Sequence, residues 1–189
     1  RDQLRRLGKI DAALVRETIP SPNVWAYRNH AQFTFTPIGL PGFQAARSHR
    51  TVPIRECAIV EPEIAAWLSS KQHSGEAANQ RTSVRSRTAF RVHETELRVS
   101  DESFFQVNTS LIETLVDEVL QRLNLRGTET VLDAYCGAGL FSRFIAPRAA
   151  RVIGIEFSRD AVADARVNLA GFDHVELHTG AVEDVLPQL

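Results

Sequence analysis

The chain has 189 residues, 43% of them hydrophobic and 24% charged, with a formal net charge of -1. That is ordinary globular composition, and no apolar run reaches the roughly 20 residues of a membrane span or has the layout of a signal peptide. The two cysteines, Cys57 and Cys136, stand 79 positions apart without a C-x-x-C spacing, so neither a disulfide framework nor a self-contained zinc site is indicated and a cytoplasmic setting is expected.

The near-neutral total hides an asymmetry. Residues 1–105 carry 15 Lys+Arg against 11 Asp+Glu, whereas residues 106–189 carry 7 against 12. Twenty of the 22 basic residues are arginine, the side chain suited to bidentate phosphate contacts, although a GC-rich genome yields the same bias. The chain begins with Arg1 and contains no methionine, and it stops after a helix-like stretch, so it is expected to be a partial chain.

In chain order, Leu4, Leu7, Ile10 and Leu14 fall at helical spacing, which predicts an amphipathic helix over 1–18 ended by Pro20 and Pro22. "AQFTFTPI" alternates like a half-buried strand, "GLPG" supplies a turn at 39–42, and "FQAAR" and "TVPIREC" read as return strands. "EPEIAAWL" predicts a short helix from Pro62, and the polar stretch 70–83 reads as a loop or linker. "VRSRTAFRVHETELRVS" alternates well enough for two further strands.

After residue 102 the pattern becomes α/β. Ser110 and Glu113 match a capping box for a helix running to about Leu125. "ETVLDAY", "RVIGIE" and "HVELHTG" read as strands alternating with helices at 139–147, 159–170 and 181–188. The expected fold is therefore α/β: a truncated doubly wound, Rossmann-like sheet over 103–189, preceded over 1–102 by a smaller α+β, mainly antiparallel, substrate-docking region.

The turn "VLDAYCGAGLFS" could serve a dinucleotide, another nucleotide-like cofactor, or Cys136 as a nucleophile. Gly137 and Gly139 are followed by Ser142 where a dinucleotide fingerprint wants a third glycine or an alanine, and Asp133 before the turn would repel a pyrophosphate. Glu156 lies 19 positions after Gly137, where such sheets place the carboxylate that accepts from ribose hydroxyls. These residues favour S-adenosyl-L-methionine over NAD. For Cys136, packing beside a glycine turn is the commoner role, and no base lies near it in sequence.

Three stretches, "YRNHAQF" with "GFQAARSHRTVPIRECAIVEPEI", then "SDESFFQVNTSLIETL", then "VLDAYCGAGLFS" through "VIGIEFSRDAVADARVN", resemble the S-adenosylmethionine-dependent RNA (uracil-5-)-methyltransferases of tRNA and 23S rRNA. The resemblance implies methyl transfer to C5 of a uridine in an RNA partner by an enzyme of a class I methyltransferase fold; a monomer is expected. It implies that Gln106, Tyr135 and Glu156 contact S-adenosylmethionine, that Gly137 and Gly139 let the backbone approach it with Asp133 in support, and that Tyr27, Arg28, Arg47, Ser48, His49 and Arg50 are candidates for RNA contact. In the family a cysteine thiolate adds to uracil C6, which makes C5 nucleophilic, and a general base later removes the C5 proton.

Some members hold a 4Fe–4S cluster through three N-terminal cysteines and a fourth matching "REC". Cys57 is then either one ligand of a cluster completed upstream or a plain buried cysteine. Only 38 residues (65–102) separate "IVEPEI" and "SFFQVN", fewer than the family usually has, and the family's catalytic cysteine and glutamate fall beyond residue 189. No catalytic residue is assigned, and the chain alone is expected to bind the cofactor weakly at best and not to methylate. Two other readings stay open: a non-catalytic RNA-binding remnant, and a class I methyltransferase of a non-RNA substrate.

Overall fold

A computed structural model describes residues 2–10, 16–73 and 81–189 of the chain. Helix α1 spans only Asp2–Arg6, shorter than the leucine spacing predicts. Lys9 adopts a left-handed conformation (φ 52°), and the Ile10 amide donates back to the Leu4 carbonyl at 3.1 Å. The left-handed residue turns the chain back onto the helix's last carbonyls, so the helix ends before its periodicity does. Leu14 lies outside the described residues.

The first sheet comprises β1 (His30–Phe35), β2 (Pro41–Gln44), β3 (Thr51–Pro53) and β4 (Arg81–Arg85), all antiparallel, in the order β3-β2-β1-β4. The return strands are shorter than predicted because residues 45–50 form the tip of the β2–β3 hairpin, closed by Ala45 N donating to Arg50 O at 2.9 Å. Helix α2 (Pro62–Ser70) starts where Pro62 suits a first helical turn and covers one face of the sheet. Ala31, Phe33, Ile64 and Leu68 form that core, with the Trp67 ring stacked on Phe33 at 5.1 Å.

β4 begins inside the stretch that reads as a linker. Its residues alternate between Val84, which packs towards α2, and Arg81, Ser83 and Arg85 on the other side, so the strand lacks a hydrophobic run.

A second hairpin, β5 (Ala89–Val92) and β6 (Thr95–Arg98), sends Phe90, Val92 and Leu97 into a core shared with Phe105, with Ile112 and Val116 of α3 (Ile112–Leu123), and with Leu140 and Phe144 of α4 (Leu140–Ile145). Beyond it lies a parallel sheet of β7 (Thr130–Ala134), β8 (Arg151–Glu156) and β9 (Val175–Thr179), in sequence order and wound in one direction. α4, α5 (Arg159–Asn168) and α6 (Val182–Val185) follow these strands in turn. The Rossmann-like expectation is met.

The capping box is not used. A turn at Thr109–Leu111 precedes α3, Ser110 donates instead to Asn108 Oδ1 at 2.6 Å, and Glu113 accepts the amide of His93. No helix among the described residues is long and apolar enough to cross a membrane.

The sheet and the α/β part meet through polar groups. Glu61, which is buried, accepts from Arg87 Nη2 and from Thr109 Oγ1 (2.8 Å). Asn29, also fully buried, donates from Nδ2 to the Gln106 carbonyl (2.9 Å), and its amide donates to Val107 O (3.1 Å).

One position limits the hairpin sharply. A Cβ on Gly42 would stand 2.0 Å from the Val52 carbonyl oxygen and 2.7 Å from its carbon, so β2 and β3 pair only if residue 42 has no side chain. Gly42→Ala is expected to cost at least about 2 kcal/mol, in the range of overpacked cores. A urea midpoint unchanged from the parent protein would show that the strands can part cheaply.

Candidate functional site

The turn joining β7 to α4 uses left-handed backbone at alternate residues: Tyr135 (φ 62°), Gly137 (φ 55°) and Gly139 (φ 82°). The two glycines have different reasons to be there. A Cβ on Gly139 would press on Leu169 Cδ1 (3.1 Å) and Ala165 Cβ (3.3 Å), so this glycine lets α5 pack under the turn. A Cβ on Gly137 would meet only the Phe104 carbonyl at 3.9 Å, so its backbone faces open space that a ligand can approach.

Two carboxylates brace the turn. Glu156, at the end of β8, accepts from Gly137 N at 3.0 Å through Oε2 and from Ser158 N at 2.8 Å through Oε1. Each oxygen retains a lone pair for a further donor. Asp133, at the end of β7, accepts from Ser142 N (3.1 Å) and Ser142 Oγ (2.6 Å) through one oxygen, tying the strand to the first turn of α4. Burial raises its carboxyl above the usual range; the Ser142 bonds oppose this and the charge of Glu156 adds to it.

Tyr135 is 65% exposed, and its hydroxyl donates to Glu183 Oε1 of α6 at 2.6 Å. Its ring therefore stands over the turn instead of packing beneath it. With Phe104, Gln106 and Gly137 it lines a cleft of about 70 Å³. The structure thus brings Gln106, Tyr135, Gly137 and Glu156 to one place, while Asp133 and Gly139 hold that place from below. Glu183 could not be read as a partner of Tyr135 from sequence, because 48 positions separate them.

Cys136 is the buried member of the motif. Burial, and then the charges of Asp133 and Glu156, push its thiol up to about 12. Gly154 of β8 makes room for it, since a Cβ there would lie 3.0 Å from Cys136 Sγ. A thiol so placed is protonated at neutral pH and serves packing.

Cys57 is half-buried and packs against the core under α2. Among the described residues no group of three or more His, Cys, Asp or Glu is placed to hold a metal ion, and Cys57 by itself cannot hold an iron–sulfur cluster.

The RNA candidates fall at one end of the first sheet. Gly42 pairs with Thr34 and Gln44 with Thr51, so the register carries the hairpin tip, with exposed Arg47, Ser48, His49 and Arg50, towards the His30 end of β1. Arg28 and Tyr27 lead into that same end; Arg28 Nε donates to His30 O at 2.8 Å, and the Tyr27 carbonyl accepts from Thr109 N. Strand pairing adds residues that sequence reasoning missed. His30 pairs with Arg85, Gln32 with Ser83 and Thr34 with Arg81, which puts two arginines on the face away from α2. Burial, then the charges of Arg85 and Arg28, lower the His30 pKa, with Asp101 opposing.

A model of the family described as tRNA (Uracil-5-)-methyltransferase matches residues 74–181, more than half of the chain. The chain belongs to the tRNA (uracil-5-)-methyltransferase family. An uncharacterised RNA methyltransferase of Halalkalibacterium halodurans is 29% identical over 98% of this chain and 58% of its own length. A tRNA (uracil-5-)-methyltransferase homolog A of Mus musculus is 43% identical over 49% of this chain and 15% of its own. The chain therefore spans little more than half the length of the first relative and much less of the second. The tRNA (uracil-54, C5)-methyltransferase of Pyrococcus abyssi, solved with S-adenosyl-L-homocysteine, superposes with a TM-score of 0.66 over 96% of this chain and 61% of its own, at 18% identity. That likeness establishes the fold.

The packing role of Cys136 has a direct test. Iodoacetamide at pH 8 is expected to label Cys57 and leave Cys136 unlabelled until denaturant is added, as read by peptide mass spectrometry. Labelling of Cys136 at the rate of Cys57 in the folded protein would restore it as a reactive thiol.

Proposed function

We propose that this chain supplies the methyl-donor site and part of the RNA-docking face of an enzyme that methylates C5 of a uridine in tRNA or rRNA. The observation that carries the reading is the Glu156 carboxylate, fixed by two backbone amides beside an open Gly137, in a chain of this family. A carboxylate held in that way is already oriented to accept from vicinal ribose hydroxyls, so little ordering cost remains at binding. S-adenosylmethionine, when bound, supplies a methyl group on a sulfonium. The Gln106 amide offers a donor and an acceptor to its polar groups, the Tyr135 ring covers its apolar side, and Gly137 admits it to the backbone. Asp133 supports the turn, its engaged oxygen being taken up by Ser142.

The docking face is supported by charge and by register. Arg28, Arg81 and the tip at 47–50 lie on a unit whose sequence has an excess of basic residues, whereas the donor-binding part is acidic. Such a surface attracts phosphates by counterion release. This favours RNA over a small-molecule substrate, and the preserved donor site speaks against a decayed, purely RNA-binding remnant. The chain assigns no nucleophile here: the cysteine nearest the donor site is held as a thiol. An iron–sulfur cluster forms no part of this reading.

Titration of the full chain with S-adenosylhomocysteine is expected to give a saturable heat, weak by the standard of a complete enzyme, and Glu156→Ala is expected to weaken it at least tenfold. Equal binding by the Glu156→Ala protein, or none by the parent protein, overturns the donor-site assignment.

A further inference from the structure

Helix α5 carries two polar side chains on one inner face, four residues apart and almost without solvent contact: Asp164 is 1% exposed and Asn168 8%. Polar groups buried at this depth are costly unless every bond is made. Here they are made, and all of them leave the helix. Asn168 Oδ1 accepts from Arg98 N (2.7 Å), while Nδ2 donates to Arg98 O (2.8 Å) and to Ala138 O (2.8 Å). Asp164 Oδ2 accepts from Ser100 N (2.7 Å), Ser100 Oγ (2.7 Å) and Ser103 Oγ (2.6 Å), and Oδ1 faces Arg98 Nε at 3.2 Å.

The recipients are the two walls of the cleft. Ala138 is the residue between the two glycines of the turn. Ser103 immediately precedes Phe104, whose carbonyl lies over Gly137, and it stands three residues before Gln106. Ser103 is gripped from the other side as well, its carbonyl accepting from Arg85 Nη2 of the docking sheet. One helix face therefore sets where the glycine turn stands and where the Phe104 and Gln106 wall stands.

We infer that Asp164 and Asn168 are positioning residues for the methyl donor, fixing the separation of the two walls that receive it. The inference rests on the donor-site reading above. A helix held only by apolar contacts could slide or rotate by fractions of an ångström with little penalty; fixed-length bonds to both walls remove that freedom. The chemistry suits a spacer. Asn168 uses both amide hydrogens and its oxygen, and Asp164 gathers three donors on one atom, so neither has spare capacity that a ligand would use.

Burial alone would raise the Asp164 carboxyl, but the bonds from Ser103 and Ser100, with the charge of Arg98, outweigh it and hold the group below the usual carboxylate range.

The experiment measures the dissociation constant of S-adenosylhomocysteine for the full chain by titration, beside the thermal midpoint of each variant. Asn168→Ala and Asp164→Ala are expected to weaken binding at least tenfold. Asp164→Asn, which keeps an acceptor for the Ser100 amide, is expected to stay within about threefold of the parent protein. Leu68→Ala in the separate core under α2 is the stability control: it lowers the midpoint and leaves the dissociation constant unchanged. Should Asn168→Ala fail to fold, Ser103→Ala, which deletes one bond to Asp164, is expected to weaken binding severalfold. Unchanged binding in the folded Asp164→Ala and Ser103→Ala proteins overturns the inference and leaves the donor site standing. A parent protein that binds nothing overturns the donor site itself, and this inference with it.

Discussion

The site depends on keeping three left-handed residues in a five-residue turn. A chain of L-residues avoids this conformation, and two glycines relieve only part of the difficulty because Tyr135 is the third such residue. The turn is held by what surrounds it. Glu156 anchors the Gly137 amide, the Cys136 amide donates to Ile155 O at 3.0 Å, and Asp133 secures the start of the helix that follows. Because the two carboxylates sit at the ends of neighbouring parallel strands, the register of β7 against β8 fixes the turn. Asp133 pairs with Gly154 and Ala134 with Ile155, and a slip of one residue would turn one of the two anchors to the wrong face.

The antiparallel sheet is joined to this arrangement by polar contacts instead of a shared apolar core. Phe33, Ile64 and Leu68 fill one core, and Phe90, Val116 and Leu140 another. Between them Glu61 and Asn29 are buried and bonded across the junction. Apolar contacts tolerate small displacements, whereas a buried carboxylate with two directed partners does not, since losing either leaves a desolvated group unsatisfied. The antiparallel sheet and the cleft over the glycine turn are thereby fixed relative to each other through the backbone of Gln106.

What could be read from the sequence follows from which signals are local. Phe33 and Phe35 alternate with polar residues and mark β1; the glycine turn and the carboxylate after "RVIGI" mark the candidate site within a single stretch of chain. The signals that failed were also local, but had competitors. Ser110 and Glu113 have the spacing of a capping box, yet Asn108 and the His93 amide take up those side chains. β4 was hidden because Arg81, Ser83 and Arg85 leave one face of it polar and only Val84 packs towards α2. Other groups had no local signal at all. Asn168 reads as an ordinary end of a helix until Arg98, 70 positions earlier, is seen against it, and Arg85 reads as a surface charge until strand pairing sets it beside His30.

Tyr135 has a consequence for how this site can change over generations. Its backbone conformation costs a non-glycine residue on the order of 1 kcal/mol or more, so glycine at this position would relax the chain. Most random substitutions lower stability; here a simple one would raise it, while removing the ring that stands over the turn. Drift towards a sturdier protein therefore runs directly against the site. In a lineage released from selection for its chemistry, the tyrosine at this position should be among the first features of the site to disappear, well before Gly139, whose lack of a side chain lets α5 pack under the turn.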